Sequence, residues 1–282
     1  MPALTDLSDL INRQSGGNNG APENLFFQKV ARIAGAAATA PIAGRGCSLW
    51  RYDGMPAGGA VPTAADIPVR TTVGAIPFTA PGSGRDKQLI SAAIAPSVAG
   101  VFILYDRLFH IGGLSGIVTT AQTVQGTTPT PALTRNTDGA GNFAFYEVYT
   151  AIGTTSTTLT MTYTDQDGNT GQTSIINIGA NGFREETRAQ RIPLAAGDSG
   201  IRAIASVQLT ASTGTAGNFG ITIAQPLAVI PVGAAGIMGW RDYTTGLPGI
   251  PVIDPNACLS LFFIPSTATA TEIFGALGFV EK

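Results

Sequence analysis

Hydrophobic positions along this chain change their period. Near the start, Leu4, Leu7 and Ile11 recur at helical spacing, with Asp6 and Asp9 between them. The run Ser15-Gly16-Gly17-Asn18-Asn19-Gly20 then stops any helix. Phe26, Val30, Ile33 and Ala37 fall at i, i+4, i+7 and i+11, which predicts a second helix over 23–38, closed by Pro41. A short amphipathic helix is marginal alone. Residues 1–45 therefore read as an arm of short helices that docks on the main domain or on a neighbouring chain.

From about residue 98 the period becomes two. Val101–Tyr105 is an apolar run bounded by Gly100 and Asp106, and Phe143–Val148 is a further strand. Leu159, Met161 and Tyr163 alternate with threonines, the pattern of a half-buried strand in an antiparallel sheet. Asp165–Asn169 reads as a hairpin turn and Ser174–Ile178 as the return strand. Strands are also expected at Val207–Leu209, Phe219–Ile223, Leu227–Val232 and Leu259–Ile264. Ala140-Gly141-Asn142-Phe143 recurs as Ala216-Gly217-Asn218-Phe219, each time before an alternating run, and predicts two equivalent turns with left-handed backbone. Regular strands with Gly, Pro and Thr punctuation predict an all-β chain: an antiparallel β-sandwich, jelly-roll-like, over 46–282. Within it, 54–84 is rich in Pro, Gly, Ala and Thr and predicts a long irregular segment, either packed over a core or looped on the surface.

Composition narrows the function. Charged residues are 12 % of 282, about half the usual share. The net charge is −2, so there is no basic excess to hold a phosphate backbone, and no nucleic-acid partner is expected. No apolar run is long enough to predict a membrane helix, and the first six residues do not resemble a signal peptide. The 34 threonines fit exposed strand faces that carry little charge and so pack against neighbours without repulsion. One histidine, His110, leaves little for a metal site, and no metal or cofactor is expected. Cys47 and Cys258 fit buried thiols, or else one long-range disulfide.

Several short motifs invite a chemical reading. Gly197-Asp198-Ser199-Gly200 has the spacing of a serine-protease nucleophile, with His110 as the sole base available. The residues around His110 and Ile201 do not follow that pattern, and a tight turn is the plainer account. Gly113-Leu114-Ser115-Gly116 lacks the second glycine of a nucleophile elbow, since Ile117 stands there. Asp165, Asp167 and Asn169 open like a calcium loop, but the sixth and twelfth positions are wrong. Residues 184–191 mix three Arg with two Glu, a solvated turn or an ion-pair patch. Trp50-Arg51 and Trp240-Arg241 form a similar pair: each reads either as a core anchor or as a protein-contact anchor, since Trp and Arg are frequent at interface hot spots. The candidate interface residues are thus Leu4, Leu7, Ile11, Phe26, Val30, Ile33, Trp50, Arg51, Trp240 and Arg241.

A set of stretches across 46–282 resembles a group of tailed-bacteriophage virion structural proteins. They include 48–54, 104–116, 119–123, 147–153, 196–202, 214–220 and 245–251. The resemblance implies a particle-bound protein without catalytic residues. The expectation is a capsid decoration protein: a homo-oligomer, guessed to be a trimer, bound across the phage major capsid protein in the virion. The alternative is a tail, baseplate or head-fibre component that binds a host surface or glycan.

Overall fold

A computed structural model describes residues 7–180, 182–243 and 249–282. The first elements are helix α1 (Leu7–Gln14) and strands β1 (Glu23–Val30), β2 (Arg32–Ile33), β3 (Ala36–Ala37), β4 (Cys47–Ser48), β5 (Asp53–Met55) and β6 (Lys87–Pro96). The middle holds β7 (Gly100–Leu114), β8 (Gln122–Thr123), β9 (Phe143–Thr150), β10 (Thr157–Asp165), β11 (Gln172–Ile178) and β12 (Ala189–Ile192). The remainder holds β13 (Ile201–Leu209), β14 (Asn218–Val232), β15 (Gly239–Asp242), β16 (Val252–Ile253), β17 (Leu259–Pro265) and β18 (Ile273–Glu281). The expected all-β, antiparallel, sandwich-like fold is what forms, and one central sheet serves two sandwiches.

That central sheet runs β12-β9-β14-β7-β17-β4. Its two 15-residue strands, β7 and β14, are long enough to be packed twice. At one end Phe102, Leu104, Ile230, Leu261 and Phe263 meet Phe27, Leu89, Ile94, Leu277 and Phe279 of a sheet ordered β15-β6-β18-β1-β5. At the other, Phe109, Ile111, Tyr146, Ile221 and Ile223 meet Leu159, Met161, Tyr163, Ile178 and Val207 of the sheet β11-β10-β13-β8. The β7–β14 register shifts at Ile223/Ala224 and Pro226/Ala228, where bulges re-aim the side chains between the two cores.

The threonine strand behaves as its period requires: Leu159, Met161 and Tyr163 are buried while Thr158, Thr160 and Thr162 are not. The hairpin after it closes on Asp165, whose carboxylate accepts the amides of Asp167 and Asn169 and the Asn169 side chain at 2.8–2.9 Å. The Ala-Gly-Asn-Phe echo is real geometry. Gly141 and Gly217 both have positive φ, 72° and 49°, and Phe143 and Phe219 are both buried.

Two expectations are corrected. Residues 23–30 are a strand, not the start of a helix. β1 lies between β18 and β5, with Phe27 in the core. The sheet therefore begins within the stretch expected to be an arm of short helices. The runs at 219–223 and 227–232 form one strand, because the bulge at Pro226/Ala228 lets β14 continue past a proline. Segment 54–84 packs over the core: Ala75, Ile76 and Phe78 are buried, and isolated bridges join Asp66 to His110 and Ile76 to Leu259.

Candidate interaction surface

The sheet β15-β6-β18-β1-β5 buries one face and leaves the other partly bare. Cross-strand partners share a face, so the registers give its outer rows directly. Trp240 pairs with Ala93, Ala93 with Ala276, and Ala276 with Phe26. In the next row Ala95 pairs with Phe274, Phe274 with Gln28, and Gln28 with Met55. Phe26 is 70 % exposed, Trp240 65 % and Phe274 54 %. Met55 and Met238 are exposed too. Neither row contains a charged residue, and Gln28 is the one polar side chain. Small residues in the middle strands leave a shallow apolar trough of about 190 Å³ lined by Phe26, Ala93, Ala95, Met238, Phe274 and Ala276.

Helix α1 covers the far end of this face. Leu10, not Leu7 or Ile11, is its buried residue, set against Ile90 and Val280 on the side away from the core. Arg13 ties it down, donating to the Glu281 carbonyl at 2.9 Å and pairing with Asp9 at 3.0 Å. Leu7 and Ile11 remain exposed. Leu4 lies outside the described residues. Register is what unites Phe26 and Trp240, which the sequence offered 214 positions apart.

The other candidates are placed differently. Trp50 is 1 % exposed and anchors the chain's own interior: of its two readings the core anchor holds, and its place among the interface candidates is corrected. Its indole N–H donates to the Ala60 carbonyl at 3.0 Å, and Gly59 passes so close to the ring that a Cβ there would overlap it. Arg51 donates to the Gly59 carbonyl at 2.8 Å and faces Glu186 at 3.6 Å. Ile33 is buried in the β2–β3 hairpin, and Val30 is half-buried opposite Asp53. Arg241 lies over the Tyr243 ring at 5.9 Å.

A cleft of about 510 Å³ opens beside Trp50 and is lined by residues 60–66, Thr72, Val73 and His110. Behind it lies a buried ionic network that the sequence did not signal, since its members are scattered over β7, β9, β14, the loop before β9 and the residue before β17. Glu147 accepts from Arg107 at 2.7 Å, Tyr149 at 3.0 Å and Thr222 at 3.2 Å. Asp106 holds Arg135 through two bonds of 2.9 Å and accepts the Cys258 amide at 2.7 Å. The Arg107 guanidinium lies 4.6 Å over the Trp50 ring and donates to Nδ1 of His110 at 2.9 Å. Burial, and then that guanidinium, push His110 down to about 2. Its ring stands edge-on to Trp50, 5.6 Å away. Asp66 approaches Nε2 only to 3.9 Å and is itself mostly exposed, so a neutral imidazole facing it is not an ion pair.

This arrangement pairs Arg107 with Glu147 and Arg135 with Asp106. None of the contacts described for His110 involves Ser199, whose amide accepts no role beyond donating to Gln166 Oε1 at 3.0 Å. Cys47 and Cys258 are separate buried thiols, and burial raises Cys258 to about 12. In the 184–191 cluster Glu185 faces both Arg184 and Arg188. Among the described residues there is no group of three or more His, Cys, Asp or Glu able to hold a metal, and no helix long and apolar enough to cross a membrane.

No protein-family model matches the chain, and no curated protein matches it. Among solved structures, infectious bursal virus derived T=1 particles align over 92 % of this chain and 77 % of that one, at 8 % identity and a TM-score of 0.20. The infectious bursal disease virus VP2 subviral particle aligns over 93 % and 80 %, at 9 % identity and 0.19. These are viral capsid structures, but superpositions this loose carry no argument about the present fold or its work.

Proposed function

We propose that this chain is a structural virion protein that works by surface contact, and specifically a decoration protein on the head of a tailed bacteriophage. The observation that carries the reading is the uncharged outer row Trp240, Ala93, Ala276 and Phe26, on a sheet with a full core beneath it. Monomeric soluble proteins rarely leave so large an apolar patch to water. The likeness of 46–282 to phage virion proteins supplies the setting. Contacts to the major capsid protein would add to shell stability by removing apolar area from water, at about 25 cal/mol per Å² before entropy losses.

Exposed aromatics also suit glycan binding, the tail or fibre alternative. Sugar sites combine a ring with several placed polar groups. Here the two rows through Phe26, Phe274 and Trp240 offer Ala and Met with a single Gln, while the polar groups Asn24, Ser91 and Asp242 lie one row to the side, which favours a protein surface. Electron microscopy of intact particles decides between them. Many copies spread over the head are expected; copies confined to the tail tip overturn the decoration role.

A further inference from the structure

We infer that the outer face of the β15-β6-β18-β1-β5 sheet is covered by the same face of a second copy of this chain. The inference deepens the structural reading above, on which it rests only for the setting: it gives this face to a second copy, so that contact with the shell falls to the remaining surface of the pair. The relief is the first argument. Phe26, Met238 and Phe274 stand around a trough floored by Ala93, Ala95 and Ala276, and Trp240 pairs with Ala93 beside it, so the patch carries both knobs and a hollow that could receive them. A surface with both can pair with itself about a two-fold axis, as isologous interfaces do.

Charge is the second. Identical faces brought together set every charge against its own kind, and like charges oppose association. These two rows carry none; Asp242 in the row beside Trp240 and Asp53 in the row beside Met55 stand at their margins, so a two-fold pairing seated on the rows leaves like charges only at its rim.

Area is the third. The exposed parts of Phe26, Phe274, Trp240, Met55 and Met238 present on the order of 700 Å². A standard stable interface buries about 800 Å² on each partner, and Leu7 and Ile11 on the neighbouring helix extend the patch.

The test is the mass of the purified full chain by light scattering and sedimentation, at about 50 µM, for the wild type and for Trp240→Asp, Phe26→Asp and Ala93→Glu. A wild-type mass twice 28.8 kDa, falling to one chain in each variant, is the expected result. Circular dichroism reports folding and stays as in the wild type, since Phe26 and Trp240 are exposed and Ala93 is half-buried on the outer face, while the melting temperature falls only by what the lost association had added. Ala93→Gly, which keeps the trough open, stays dimeric. A monomeric wild type, a three-chain mass, or a dimer indifferent to all three variants overturns the inference. Particle binding is read separately: a monomeric wild type that still coats heads sinks the self-association and leaves the decoration role standing.

Discussion

Glu147 and Arg107 carry opposite charges where neither reaches water. Removing one partner of such a pair leaves the other desolvated and alone, at about 3–5 kcal/mol. Glu147→Gln keeps the shape and loses the charge, so its unfolding free energy from urea titration should drop by that much, while Arg107→Met with Glu147→Leu should lie nearer the wild type. His110 gives a pH signature. In the fold it stays neutral down to about pH 2, held so by burial and by Arg107, with Trp50 against its ring and Asp66 facing from the 54–84 segment. In the unfolded chain it protonates near pH 6.5. Between these values the unfolded state binds the extra proton, so stability falls as pH falls below about 6.5, by about 2 kcal/mol at pH 5. His110→Asn keeps an acceptor for Arg107 and cannot titrate. The difference between variant and wild-type stability should therefore change across pH 5–7 by that amount.

At the scale of elements, β1 shows where periodicity misleads. Leu25, Phe26 and Phe27 are all apolar, so the segment satisfies a helical stripe through Phe26 and Val30 as well as a strand pattern. What decides is β18, some 250 residues later, whose free edge β1 completes. No local signal carries that. By contrast β10 was legible because its threonines mark one face unambiguously. Phe26 and Trp240 were legible as contact candidates one at a time, but not as neighbours, because register exists only once the sheet is assembled. The network around Glu147 was hidden for the same reason. The β1–β18 pairing makes its own test. Phe27 lies over Gly275, and a Cβ there would sit about 2 Å from the ring. Gly275→Ala should cost about 1–3 kcal/mol by overpacking, and Phe27→Leu in the same chain should recover part of it, as read from denaturant midpoints.

For the whole molecule, two sandwiches on one central sheet make a rigid body whose surface is poor in charge. Association through the bare face should accordingly ignore sodium chloride between about 0.05 and 0.5 M, where Debye screening changes severalfold. Sulfate should strengthen it, as it does apolar burial generally. A dimer that dissociates with added chloride would point to an ionic contact elsewhere on the surface. The adjacency of β1 and β18, clasped by Lys87 between Glu23 and Glu281, bears on synthesis. Strand β1 leaves the ribosome early and must wait for nearly the whole chain before its neighbour exists. Until then its apolar edge is open to other nascent chains, so translation speed and chaperone supply, more than final stability, govern how much usable protein a cell obtains.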